Sequence, residues 1–105
     1  MSDPDPRESA TFEALGNERS RVSGPLVFGT VGPLLRTGSE AIAHGTAEVI
    51  DLTGVTRSDS SALALLIEWL SVARAAGKPL RFEGIPAQLR HLAQLSEVET
   101  LISGS

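Results

Sequence analysis

The chain has 105 residues, of which 41% are hydrophobic and 21% are charged, a length and balance typical of one globular domain rather than a disordered chain. The formal net charge is −4, and Lys78 joins only eight scattered arginines, so we expect no nucleic-acid binding, which needs clustered basic side chains. Cysteine is absent, which excludes disulfides, thiolate metal sites and thiol catalysis.

Composition along the chain predicts where the domain begins and ends. Residues 1–9 carry Asp, Glu and Pro without an apolar stretch, which predicts a disordered tail and not a signal peptide. We therefore place the domain at residues 10–102 and a short tail at 103–105. The longest apolar run, residues 62–67, is much shorter than the roughly 20 residues that a membrane span needs, so we expect no direct membrane insertion.

An antiparallel hairpin is predicted at the start of the domain. Its strands are residues 10–15 and 19–23, and the intervening Gly16-Asn17 pair tolerates the positive φ angles of a tight turn. Gly24-Pro25 follows the second strand. Because glycine and proline both interrupt a regular strand, this pair is expected to end it.

The remaining elements alternate between helices and strands. Apolar residues at intervals of three and four indicate helices, and short apolar runs bounded by glycine indicate buried strands. In chain order, the predicted elements are a helix at 31–42, a strand at 46–52, a helix at 60–76, a strand at 80–83 and a helix at 86–95. Residues 98–102 are expected to pack back as a terminal turn or edge strand. This ββαβαβα order predicts an α/β fold with parallel strands joined by crossover helices.

The most informative segment joins the strand at 46–52 to the helix that follows it. Ser58, Asp59, Ser60 and Ser61 bring four oxygen-bearing side chains to a helix N-terminus. One interpretation is helix capping, which is worth about 1 kcal/mol per residue. The other is that the Ser60 hydroxyl is presented to a partner and can be phosphorylated, which would add about −1.5 to −2 charges.

A family resemblance bears on this choice. Residues 51–63, Asp-Leu-Thr-Gly-Val-Thr-Arg-Ser-Asp-Ser-Ser-Ala-Leu, resemble the signature of STAS domains, the family of bacterial anti-sigma factor antagonists and related modules. In that family the first hydroxyl residue after the Asp is the regulatory position, which maps onto Ser60. Ala62 stands where antagonists usually have Gly, a departure that weakens the case for phosphorylation. The resemblance implies the STAS fold, a four- or five-stranded mixed sheet covered by about three helices.

Two further segments resemble one branch of the family, the MlaB-type subunits of the Mla phospholipid ABC transporter. These segments are residues 26–35 and 65–78, and the helix at 86–95 fits as well. The resemblance implies a non-catalytic accessory subunit without a cofactor. It would be cytoplasmic, held at the inner membrane through the transporter, and its partner would be the ATPase subunit. The alternative is an anti-sigma factor antagonist, whose partner would be an anti-sigma factor kinase that phosphorylates Ser60.

The predicted partner-contact residues are Ser58, Asp59, Ser60, Ser61 and Ile67. Ile67 shares a helical side with polar residues, which favours exposure. Packing beneath the first helix is the other interpretation of Ile67, and the sequence leaves both open.

A small hydrolase is the remaining hypothesis, and little in the sequence favours it. The Gly-x-Ser-x-Gly elbow of hydrolases is missing around the serines of the junction. His44 is predicted at a helix end and His91 on the polar side of the last helix, so neither is placed as a general base. The spacing of His, Asp and Glu matches no zinc or calcium motif, so we expect no metal site. Trp69, the single tryptophan, is interpreted as core packing.

Overall fold

The computed structural model describes residues 9–103 and has the predicted ββαβαβα order, followed by one more short helix. The elements are β1 (Thr11–Gly16), β2 (Arg19–Leu26), α1 (Val31–Ala43), β3 (Val49–Ser58), α2 (Ser60–Ala76), β4 (Arg81–Glu83), α3 (Ala87–Leu95) and α4 (Glu99–Ser103). The prediction of a terminal turn or edge strand at 98–102 is therefore wrong in its strand alternative, because this segment forms α4. Ser103, which the sequence prediction assigns to the C-terminal tail, ends that helix; residues 1–8 and 104–105 of the two predicted tails lie outside the described residues.

The four strands form one mixed sheet in the order β1-β2-β3-β4. The β1–β2 pair is antiparallel, whereas the β2–β3 and β3–β4 pairs are parallel. The predicted α/β class and mixed sheet are thus confirmed, with four strands where the sequence predicts four or five. At the hairpin turn, Gly16, Asn17 and Glu18 all have positive φ angles, which explains why a glycine and an asparagine stand there.

Two strands run farther than the sequence predicts. β2 continues through Gly24-Pro25 to Leu26, with Pro25 and Leu26 buried. The register of the β2–β3 pairing shifts between Gly24 and Leu26, and an irregular position of this kind tolerates the missing N–H of proline. β3 continues past Gly54 to Ser58 because Gly54 lets β2 approach closely; a Cβ there would lie 2.5 Å from the Ser23 hydroxyl oxygen. In these two strands, glycine and proline therefore stand where the strands approach closely or pair irregularly, and not where the strands end.

One face of the sheet packs against the helices and the other carries ion pairs. Val22, Ile50, Leu52 and Phe82 point from the strands into the core, together with apolar residues of all four helices. Alternate residues of the same strands point outward and are mostly polar, as expected for a sheet covered on one side. The bare face is therefore charged and the helical side holds the whole apolar core of the described residues.

The ion pairs of the bare face perturb two carboxyl groups. The pKa of Asp51 is lowered because its carboxylate accepts hydrogen bonds from the Thr53 backbone N–H, at 2.9 Å, and the Thr53 side chain, with Arg21 adding an ion pair at 3.3 Å. The pKa of Glu83 is lowered by its hydrogen bond and ion pair with Arg19. Both carboxylates are thus more acidic in the folded chain than in the unfolded chain.

Helix α2 is fixed against α1 by a close contact between Gly38 and Trp69. Trp69 is fully buried, in agreement with its predicted role in packing. A Cβ on Gly38 would lie 2.4 Å from the indole ring, so no larger residue fits there without movement. The indole N–H donates to the Leu35 carbonyl oxygen at 3.4 Å, and the Phe12 and Trp69 rings form a T-shaped pair with a centroid distance of 5.8 Å. This contact sets the position of α2, the helix that carries the predicted site.

Candidate functional site

The predicted site lies where the carboxyl ends of β2 and β3 meet the first turns of α1 and α2. Since β2 and β3 are parallel, the loop that follows β2 and the junction that follows β3 emerge at the same edge of the sheet. The Asp59 N–H donates to the Leu26 carbonyl oxygen at 3.2 Å and joins the two strand ends. The site is therefore composite, with residues from both connections.

Asp59 is the N-cap of α2, as the capping interpretation predicts. Its backbone is extended, and its Oδ1 accepts a hydrogen bond from the Ser61 N–H at 2.8 Å. Its Oδ2 accepts a second hydrogen bond, from the Phe28 N–H at 3.2 Å. One carboxylate thus binds the start of α2 and the loop between β2 and α1.

Ser60 is the first residue of α2, and its side chain is exposed. Within residues 9–103, no hydrogen bond engages its hydroxyl, whereas the capping bond is made by Asp59. The capping interpretation therefore applies to Asp59, and Ser60 is left with a hydroxyl that a partner can reach. Ser61 is half-buried and faces α1.

Ser58, a predicted contact residue, is buried in the structure. Its side chain is 4% exposed and points inward, and its hydroxyl oxygen has no hydrogen-bond partner among the described residues. Its backbone N–H donates to Oε1 of Gln88, in the first turn of α3, at 3.3 Å. Ser58 therefore contributes to the packing beneath the site. Gln88 is not among the residues predicted from the sequence.

Phe28 is the most exposed large hydrophobic residue of residues 9–103, at 75%. Phe28 lies in a turn at residues 27–30 that Thr30 stabilises. The Thr30 N–H donates to the Val27 carbonyl oxygen at 2.9 Å, and the Thr30 hydroxyl donates to the Pro25 carbonyl oxygen at 2.7 Å. Phe28 is not among the predicted contact residues, although an aromatic residue between a buried strand and a glycine, outside the helical apolar pattern, is a detectable signal. An exposed aromatic side chain on an ordered turn is typical of a protein contact.

A groove of about 370 Å³ runs between α1 and α2 beside Phe28 and Ser61. Apart from Glu68 and Ser61, the side chains along it are apolar. Its lining residues are Phe28, Val31, Gly32, Leu35, Ser61, Ala64, Leu65 and Glu68. Ser60 does not line this groove; its chain neighbour Ser61 does.

Ile67 follows Ser60 by about two helical turns and lies on the same side of α2. It is half-buried and lines a second groove, between α2 and α4, of about 380 Å³ with Leu101. Ile67 is thus neither fully exposed nor beneath α1. It faces α4, a segment that is predicted from the sequence as a turn or edge strand and not as a helix.

Neither histidine lies at the site. His44 is the C-cap of α1, at the opposite end of that helix from the Phe28 turn, and His91 is exposed on α3. Residues 9–103 contain no group of three His, Cys, Asp or Glu side chains that could hold a metal ion. Within the same range, no helix is long and apolar enough to cross a membrane.

The comparisons with known proteins assign the family. Residues 12–103 match the family model described as "Mlab, STAS domain", and the chain therefore belongs to this STAS family. STAS domains act through contacts with other proteins and are in general non-catalytic binding modules. Among curated proteins, none matches the sequence.

Two solved structures of SpoIIAA are similar in fold. The phosphorylated form of the Bacillus cell fate determinant SpoIIAA is 19% identical, with a TM-score of 0.64 over 85% of this chain and 84% of that chain. The unphosphorylated form of the anti-sigma factor antagonist SpoIIAA is 19% identical, with a TM-score of 0.63 over 82% of each chain. At this identity the likeness establishes the STAS fold alone.

Proposed function

We propose that this chain is an accessory subunit that binds the ATPase of an Mla-type phospholipid ABC transporter and catalyses no reaction itself. The observation that carries the proposal is the exposed Phe28 at the apolar groove between α1 and α2, tied through Asp59 to the start of α2, where Ser60 is exposed. Apolar surface around a few polar groups is typical of a protein-binding site. The family match, described as Mlab, supports the transporter as the context.

The chemistry of this surface favours a stable contact without a switch. Ser60 offers a neutral donor and acceptor, and the groove that its chain neighbour Ser61 lines is mainly apolar. A phosphate on Ser60 would not unfold α2, because the helix dipole stabilises an N-terminal anion by about 0.3–1 kcal/mol. A partner packed over Ser60 would, however, have to desolvate that charge, which is costly.

A pull-down with the transporter's ATPase subunit tests the proposal. Wild type and Ser60→Ala should retain the ATPase, and Ser60→Asp should weaken binding about tenfold or more, since it places a charge in the contact. Thr37→Asp is the matched control, because it adds the same charge at an exposed position of α1 outside the groove lining. A folded wild-type chain that ignores the ATPase would overturn the proposal, and equal binding by all variants would remove Ser60 from the contact.

An anti-sigma factor antagonist regulated by phosphorylation at Ser60 is the second candidate. The observation in its favour is that Ala62, which replaces the usual Gly, is fully buried, so that its methyl group leaves access to the Ser60 hydroxyl open. The partner would be an anti-sigma factor kinase. Incubation of the chain with such a kinase and ATP should then phosphorylate wild type and leave Ser60→Ala unmodified, as read by mass spectrometry. A chain that stays unmodified removes this candidate.

A further inference from the structure

The Asp59 carboxylate makes one hydrogen bond more than helix capping requires. The Ser61 N–H donates to Oδ1 at 2.8 Å, which satisfies one N–H group in the first turn of α2. The Phe28 N–H donates to Oδ2 at 3.2 Å, a hydrogen bond between residues 31 positions apart in the chain. A serine at position 59 would cap the helix equally well, so the second oxygen has a separate effect.

That effect concerns the turn at residues 27–30. Thr30 holds the turn from inside through its N–H bond to Val27 and its hydroxyl bond to Pro25. The Phe28 N–H is held from outside the turn by Asp59. Because the Phe28 ring is 75% exposed, contacts with the rest of the chain fix it little, and the backbone of the turn sets its direction.

We propose that Asp59 is a positioning residue, which holds the Phe28 ring at the groove between α1 and α2 so that an apolar pocket of the partner meets an ordered ring. This inference rests on the proposed function, since it concerns the same contact surface. The physical advantage is preorganisation: a turn that is already ordered loses little conformational freedom on binding. Asp59 itself lies below the contact and acts through Phe28.

Substitutions at position 59 separate the two hydrogen bonds. Asp59→Ser keeps the cap, because serine is a favoured N-cap residue, but its single oxygen cannot also reach the Phe28 N–H. Asp59→Asn keeps one acceptor for the cap and turns an amide donor toward Phe28. Phe28→Ala removes the ring and leaves the turn's backbone hydrogen bonds available.

Amide hydrogen exchange of the full chain, measured by NMR without any partner, tests the positioning directly. In Asp59→Ser and Asp59→Asn, the Phe28 amide should exchange about tenfold faster than in wild type, while the Ser61 amide keeps its protection. If the Phe28 amide exchanges at the wild-type rate in both variants, Asp59 does not hold the turn and the inference is overturned.

A double-mutant cycle against the ATPase subunit tests whether Asp59 acts through Phe28. We expect Phe28→Ala to weaken binding about thirtyfold and Asp59→Ser about tenfold, typical of contact residues and their supports. The double variant should bind no more weakly than Phe28→Ala alone. Additive losses, or unchanged binding by Asp59→Ser, would overturn the inference. If wild type fails to bind, the proposed function is rejected, and the exchange measurement still decides whether Asp59 holds the turn.

Discussion

Replacing Gly38 by alanine tests the contact between α1 and α2 that positions the site. A Cβ at residue 38 would lie 2.4 Å from Cζ2 of Trp69, a rigid ring that is fully buried and therefore has little room to move. Overpacking of this kind costs about 1–3 kcal/mol. The higher helix propensity of alanine offsets about 1 kcal/mol of that cost. Because the contact is so short, we expect the upper part of the range and a net loss of about 1–2 kcal/mol in the free energy of unfolding.

Gly32→Ala is the matched control, because it makes the same change in the same helix at a position where an added Cβ meets nothing within 4 Å. It should leave the free energy of unfolding unchanged or raise it by up to about 1 kcal/mol. Urea unfolding followed by the fluorescence of Trp69, the single tryptophan, measures both variants at the packing contact itself. A Gly38→Ala variant as stable as Gly32→Ala would refute the packing argument.

Three further predictions concern stability. The pKa values of Asp51 and Glu83 are lowered in the folded chain, so both carboxylates stabilise the fold above the ordinary pKa values of 3.8 and 4.5, and this stabilisation is lost as the pH falls through and below those values. The urea concentration at the unfolding midpoint should therefore decrease between pH 7 and pH 3, and Asp51→Asn should make that decrease smaller. Ser58→Ala should leave stability unchanged or raise it by up to about 1 kcal/mol, because it removes a buried hydroxyl without a hydrogen-bond partner, and a clear loss of stability would contradict the inward placement. Gly54→Ala should cost about 1–3 kcal/mol through the clash with Ser23, and thermal melting at unchanged Tm would reject the close approach of β2 and β3.

The order of elements and the start of α2 are predictable from the sequence because their signals are local. Asp59 caps α2 and Gly77 ends it in the left-handed conformation, with φ 67°, and both positions follow from the chemistry of helix ends. The lengths of β2 and β3 are not local properties. Gly24-Pro25 and Gly54 look like breaks along the chain, but they lie where strands bulge or approach closely, which depends on the pairing of the sheet.

Some residues of the candidate site are likewise predictable from local sequence signals, and others depend on how distant segments pair. The prediction of Ser60 as a contact residue comes from its position at a helix N-terminus, where the structure leaves it exposed; its role in a contact stays a prediction. Phe28 and the second hydrogen bond of Asp59 depend on β2 and β3 being parallel neighbours, a relation between segments far apart in the chain. Ser58 illustrates the converse: its alternation along the extended β3 points it inward, which a strand predicted to end earlier does not reveal.

A hydrogen-exchange footprint of the labelled full chain with the transporter's ATPase subunit tests the central claim most directly. We expect slower exchange on binding at residues 27–32 and 59–68, which carry Phe28, Ser60 and the groove between α1 and α2. The charged outward face of the sheet, around Arg21 and Asp51, should exchange as in the free chain. Protection centred on that face, with residues 27–32 and 59–68 unchanged, would contradict the account.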